Sequence, residues 1–296
     1  METRTVDAGG PVFLADFGGA KERGTTLLVH GLGGSHANWL AVGGRLATER
    51  RVVAVDLPGF GRSPLAGRSP DVASSRAVLA RVMDVVSPDA PVVLVGNSMG
   101  GLVSMMEAAE RPSRVAGLVL VDSSLPAATA RVDREVVLNF AAFSLPWVGA
   151  RLLDWRASRT TPEQSVAETM RLCCVDPSRI DPGVLAEHHV MARYRRTLPW
   201  ANEAFLLAAR SIVGTFVRHR SFRALVRSVR APTLVVHGDR DRLVPIAAAR
   251  AACALRPDWS LAVLEDVGHV PQLEAPEAFV DVVERWMSSL RRGAAA

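Results

Sequence analysis

Lysine is almost missing from this sequence: of 35 basic residues in a chain of 296, only Lys21 is not an arginine. Aromatic residues are also scarce, at 5% with a single tyrosine, and the arginines form no stripe with stacking side chains between them. Nucleic-acid binding needs that combination, so no nucleic-acid partner is expected. Three cysteines, of which Cys173 and Cys174 are adjacent, make no disulfide framework. No uninterrupted apolar run reaches the ~18 residues that a membrane span requires, and the opening "METRTVDAGG" is polar and charged. The expectation is a soluble, cytoplasmic protein with no stable membrane insertion, acting on a small molecule. Its oligomeric state is left open.

What is present is apolar material. Hydrophobic residues make up 49% of the chain, enough for a substantial core, which excludes disorder. The formal charge is +5, and residues 151 to 230 hold 14 Arg against 7 Asp plus Glu. Solvated helix faces explain such an excess, and an acidic substrate or an anionic membrane surface would also suit it.

Short β-branched runs bounded by turn residues recur at 25–31 ("TTLLVHG"), 51–59 ("RVVAVDLPG"), 91–98 ("PVVLVGNS") and 115–124 ("VAGLVLVDSS"). They read as fully buried strands. Helical patterns lie between them, one from Asp71 and one after Ser98, and this alternation predicts a mostly parallel, doubly wound α/β sheet. After the fourth run the rhythm changes. Residues 125–225 hold helical patterns punctuated by Pro146, Pro162, Pro177, Pro182 and Pro199, and strand runs resume at 231–241 and 260–269, followed by helices near 246–255 and 275–291. One core, 1–124 with 226–296, is thus interrupted by a helical insertion.

Gly96-Asn97-Ser98-Met99-Gly100 is the only G-x-S-x-G match, and it falls where a strand run meets a helical one. A sharp strand-to-helix turn strains the central residue and crowds the positions two away, which calls for glycine at both flanks. Ser98 would then stand at the C-terminal edge of the sheet, where the free N–H groups of the following helix face a developing oxyanion. A serine hydroxyl needs a base, and the base an orienting acid. His269 in "DVGHVPQLEAPEAF" and Asp241 in "HGDRDRLVP" each follow a later strand.

With these residues in that order the chain resembles the α/β-hydrolase superfamily, over about residues 12–124 and 226–290, with the insertion where that family carries its helical cap, after the sixth strand. His30-Gly31-Leu32-Gly33-Gly34 resembles the family's H-G-x-G oxyanion loop, and "DLPGFGRS" at 56–63 a further signature. The resemblance implies a serine hydrolase without a cofactor, with Leu32 and Met99 as backbone oxyanion donors. It favours Asp241 over Asp239, because the pattern G-D-x-D-x-x-x-P spans Gly238 to Pro245. Asp122, which ends the strand before the insertion, is the alternative acid.

A carboxylic ester with an apolar acyl or aromatic part is the expected substrate. Carbon–carbon bond hydrolysis of meta-cleavage products, lactone hydrolysis, monoacylglycerol lipolysis and cofactor-free peroxidation share the triad and remain alternatives. Val270 counts against the first, since those enzymes tend to carry tryptophan after the histidine, and serine at the elbow argues against epoxide hydrolase and haloalkane dehalogenase. A non-catalytic receptor on the same fold is the reading from another class. Phe140, Phe143, Trp147 and Phe205 are expected to line an apolar pocket. His30 and His237 read as structural, His188 and His189 lie in the insertion, and His36 and His219 have no acid at useful spacing. No metal site is expected, since no histidine pair has ligand spacing, and no dinucleotide loop either.

Overall fold

The computed structural model describes residues 1–125, 133–217 and 219–294. Eight strands form one sheet: β1 Glu2–Asp7, β2 Pro11–Gly18, β3 Thr25–Val29, β4 Arg51–Val55, β5 Val92–Asn97, β6 Val115–Val121, β7 Thr233–Gly238 and β8 Ser260–Leu264. Their order is β1-β2-β4-β3-β5-β6-β7-β8, antiparallel from β1 through β2 to β4 and parallel beyond. The expected strands are all here. β1 and β2 are additional, because β1 is an exposed edge of polar residues with no apolar run to mark it.

The helices are α1 Leu40–Leu46, α2 Val72–Val86, α3 Met99–Glu110, α4 Arg134–Ser144, α5 Pro146–Arg159, α6 Pro162–Cys173, α7 Pro182–Arg196, α8 Ala201–Val217, α9 His219–Ser228, α10 Ile246–Leu255, α11 Pro271–Glu274 and α12 Pro276–Ala294. Strand side chains alternate between the two faces of the sheet. Leu27, Val29, Leu94, Leu118 and Val235 pack under α2, α3 and α10, while Leu28, Val93, Val95, Val119 and Val236 meet Trp39, Val42, Phe279 and Trp286 of the opposite layer. Both faces are covered, which is why strands β3, β5 and β7 are buried at every position and mostly apolar.

Strand β3 has β4 on one side and β5 on the other, so the crossover direction reverses beside it. Such a reversal opens a crevice at the C-terminal ends of the strands, and the turn after β5 lies there.

Between β6 and β7 the chain is helical, as expected for a cap inserted after the sixth strand; residues 126–132, at its start, lie outside the described residues. Prolines stand at the first turn of α5, α6 and α7, where a missing N–H costs nothing, so they delimit helices rather than break them. The expected boundary at 225/226 falls inside α9, whose Phe222 and Val226 both join the cluster beneath the sheet. Phe279 of α12 is fully buried against Trp39, with ring centroids 6.4 Å apart. Phe279→Ala should lower the unfolding free energy by about 3–5 kcal/mol, read as a shifted midpoint in urea denaturation; an unchanged midpoint would show that α12 packs elsewhere.

Candidate active site

Ser98 joins β5 to α3 at φ 52° and ψ −117°, a strained conformation for a residue with a side chain. The turn is held on both sides: Ser98 N–H donates to the Val121 carbonyl at 2.9 Å, and the Ser98 carbonyl accepts from Gly101 and Ser124 N–H at 3.0 Å each. A Cβ at Gly96 would collide with the Gly100 carbonyl, and one at Gly100 with the carbonyls of Val29 and His30. The two flanking glycines are thus required by contact, as the spacing implied.

The H-G-x-G loop lies against this turn, for a Cβ on Gly31 would come 3.1 Å from Ser98 Cβ. His30 anchors it, Nδ1 donating to the Gly31 carbonyl at 2.7 Å and Nε2 accepting Leu57 N–H at 3.0 Å. Leu32 lines the cavity above Ser98, and Met99 begins α3, so its N–H is among those with no acceptor inside the helix. In "DLPGFGRS", Asp56 accepts the backbone N–H groups of His36 and Arg62 and meets His36 Nδ1 at 3.0 Å. This corrects the expectation that His36 has no acid: twenty residues of chain separate a pair that folding brings together.

His269 Nδ1 donates to Asp241 Oδ2 at 2.7 Å, and both groups are buried. Asp241 Oδ1 accepts Leu243 and Val244 N–H at 2.8 and 3.1 Å. Burial pushes this carboxyl up, but the His269 charge and hydrogen bond outweigh it and hold Asp241 below the ordinary carboxylate range. Asp122 does not contact His269 in this way. Its Oδ1 accepts Gly238 N–H at 2.9 Å, and its backbone sits at a φ of 40°. Burial first, then the Asp241 charge, push the Asp122 carboxyl well above the usual range. One ligand-type atom each from Asp122, Asp241 and His269 lies within 4.8 Å of the others, but these atoms serve each other and Gly238 as hydrogen-bond partners. His237 Nε2 meets the Val244 carbonyl at 2.8 Å beneath them, and burial lowers its pKa, a structural placement.

The loop that carries His269 is tied down by groups the sequence does not advertise. Asn97 Nδ2, next to the serine, donates to the His269 carbonyl at 3.0 Å, while His269 N–H donates to the Cys173 carbonyl at the end of α6 at 2.6 Å. Glu274 accepts Gly268 N–H at 2.7 Å and Asp176 N–H at 2.8 Å, joining the histidine loop to the segment after α6. Ser124 Oγ stands 3.5 Å from Ser98 Oγ. Burial pushes the Cys173 thiol up to about 12, so it is no competing nucleophile.

Ser98 and His269 open onto a cavity of about 1130 Å³ under the cap. Phe140, Phe143 and Phe205 line it in edge-to-face contact, at 6.1 Å and 5.3 Å. Trp147 does not. It is 80% exposed, because Gly149 packs inward against Leu206 and a residue two positions away on a helix points to the opposite side. Three arginines, Arg156, Arg195 and Arg196, also face the cavity. Arg195 Nη2 donates to the Ala201 carbonyl at 3.1 Å and its guanidinium lies 5.3 Å over the Phe205 ring, with no carboxylate partner among the described residues. Burial draws Arg195 down to about 10, still charged at neutral pH. His188 lines the same cavity, and burial holds it at about 4, so it is neutral.

A strained serine after the central strand, an imidazole held by a buried carboxylate and a cap over both define the class of serine-centred α/β hydrolases. The chain belongs to the alpha/beta hydrolase fold family, whose model matches residues 26–276. It is 30% identical over 92% of its length to the dihydrolipoyllysine-residue acetyltransferase component of an acetoin cleaving system from Pseudomonas putida, of which it spans 65%. It is 30% identical to a pimeloyl-[acyl-carrier protein] methyl ester esterase from Aromatoleum aromaticum, covering 87% of this chain and 96% of that one. Among solved structures, a putative lipase from Acinetobacter baumannii superposes with a TM-score of 0.80 at 22% identity, covering 99% of this chain and 92% of that one, which speaks for the fold alone.

The proton on Asp122 gives a stability test. Its pKa is raised by folding, so the unfolded chain releases this proton near pH 3.9 while the native one keeps it, and wild-type stability falls on this account as pH rises above that value. Asp122→Asn cannot ionise, so its stability relative to wild type should increase by up to ~1.4 kcal/mol per pH unit from pH 4 to 6. Urea denaturation of both proteins at each pH measures it, and a flat difference would mean that Asp122 is ionised in the fold.

Proposed function

We propose that the protein is a serine hydrolase of carboxylic esters working through an acyl-enzyme. Ser98 Oγ attacks the ester carbonyl as His269 Nε2 takes its proton, and the tetrahedral oxyanion receives hydrogen bonds from Leu32 and Met99 N–H. His269 then gives the proton to the leaving alkoxide, and the acyl group stays on Ser98. Water, deprotonated by the same imidazole, attacks the acyl-enzyme and releases the acid and the free serine. Asp241 holds the imidazole in the tautomer that leaves Nε2 free, and the N–H groups of Leu243 and Val244 keep that carboxylate in place. The observation that carries this reading is the 2.7 Å bond between His269 Nδ1 and Asp241, beside a cavity that Ser98 and His269 both line.

The cavity supports an ester whose body is apolar, matched to Phe140, Phe143 and Phe205, and whose far end is anionic, matched to Arg195. A partly buried guanidinium without a carboxylate partner binds a carboxylate in a bidentate fork at a reduced desolvation cost.

Ser98→Ala should lower kcat on p-nitrophenyl acyl esters on the order of 10⁶-fold and abolish labelling by a fluorophosphonate probe, with the circular dichroism unchanged; retained turnover would sink the assignment. For the anionic end, p-nitrophenyl esters of a dicarboxylic acid and of the neutral acid of equal length separate the terms. Arg195→Met should cost the charged ester about 30-fold or more in kcat/KM and leave the neutral one near wild type. An equal fall on both would remove Arg195 from substrate recognition.

A further inference from the structure

The α4–α5 hairpin has two faces with different chemistry. Its inner side walls the cavity through Phe140, Phe143 and Leu153. Its outer side leaves Leu138 at 70%, Leu145 at 55%, Trp147 at 80% and Trp155 at 53% exposure, a concentration of large apolar side chains that a water-facing surface does not need. The two helices meet at a bend of 115°, and neither is long enough to cross a bilayer.

The pattern on α5 identifies what covers this face. Trp147, Arg151, Trp155 and Arg159 are spaced i, i+4, i+8 and i+12, so they form one exposed stripe in which indole and guanidinium alternate. Arg159 lies 5.1 Å over the Trp155 ring, and neither Arg151 nor Arg159 has a carboxylate partner among the described residues. The acids nearby are occupied: Asp154 accepts from Asn202 at 3.0 Å, and Asp133 and Glu135 are engaged by Arg242. Tryptophan prefers the boundary between water and hydrocarbon, where its ring is buried and its N–H stays wet, and arginine beside it pairs with anionic headgroups. A second copy of this chain fits less well, because a two-fold contact across the stripe would set unpaired guanidinium groups of the two copies against each other.

We propose that the outer face of the α4–α5 hairpin docks the protein peripherally on an anionic lipid bilayer, with Trp147 and Trp155 seated at the headgroup level and Arg151 and Arg159 on the lipid phosphates. Docking places the cavity wall against the membrane, the source of apolar ligands. The proposal does not depend on the esterase reading, since vesicle binding requires no turnover.

The test is co-sedimentation of the full chain with phosphatidylcholine vesicles that contain or lack phosphatidylglycerol. Binding should require phosphatidylglycerol and weaken with added salt. Trp147→Ala with Trp155→Ala should reduce the partition coefficient at least about tenfold, and Arg151→Gln with Arg159→Gln should remove the preference for the anionic lipid. Hydrolysis of a water-soluble p-nitrophenyl ester should be unchanged in both variants, because none of the four side chains lines the cavity, and this shows that they fold. No binding to either vesicle overturns the proposal. So does binding that survives the paired tryptophan substitutions, and so does a concentration-dependent dimer in sedimentation velocity that Trp147→Ala returns to monomer.

Discussion

The close approach of α3 to the ends of β3 and β5 is the constraint on which the rest of the site depends. Gly100 rests against the carbonyls of Val29 and His30, and Gly96 against the carbonyl of Gly100, with no room for a single methyl group at either place. Because the helix starts this near the sheet, the chain between them must turn within one residue, and that residue takes the strained φ of 52°. The strain is sustained by burial: β5 is enclosed by strands on both sides and by helices on both faces, so the turn cannot relax without opening the core. The H-G-x-G loop, the first turn of α3 and the position of Ser98 all follow from this one contact.

A second set of constraints acts on the histidine loop. Three partners hold its backbone: Asn97 beside the serine, Cys173 at the end of a cap helix, and Glu274 on the helix that follows. Below it, the two carboxyl groups of Asp122 and Asp241 are too close and too buried for both to ionise, so they divide the labour. Asp241, bonded to His269, is held below the ordinary carboxylate range, and Asp122 is pushed well above it. The cap therefore does more than cover the cavity. The Cys173 carbonyl accepts His269 N–H, and Asp176 N–H donates to the Glu274 carboxylate that also accepts Gly268 N–H, so a change in cap position would be felt at the imidazole.

The cap also separates two tasks by helix face. In α4 Phe140 and Phe143 point inward and make an aromatic wall, whereas Trp147 and Trp155 of α5 point out. In α7, Arg195 turns into the cavity while Arg193 pairs with Glu163 outside it. Arginines of equal standing in the composition thus acquire different chemistry from their position around a helix axis.

Local rules made much of this legible in the sequence. The strands stand out because both sheet faces are buried, which makes most positions apolar, and the elbow because only glycine tolerates the crowding on either side of Ser98. Asp241 and His269 stand out in the sequence because each lies just beyond a strand, and the fold joins them by a hydrogen bond of 2.7 Å. Other features carry no local mark. Strand β1 forms an antiparallel edge with polar, exposed residues, and the Trp147 face depends on helix phase, which composition does not reveal. The bond from Asn97 to His269 joins residues 172 apart, that from Asp122 to Gly238 residues 116 apart, and the raised pKa of Asp122 arises from its burial and then from the Asp241 carboxylate set beside it. The sequence by itself determined the strained turn, the order of the reacting groups and the layered sheet, since these rest on sterics and burial within a few residues. Only the tertiary structure decided which carboxylate bears the charge, which arginine is left without a partner and which side of the cap meets water, because desolvation and pairing are properties of the packed neighbourhood and not of the chain that runs through it.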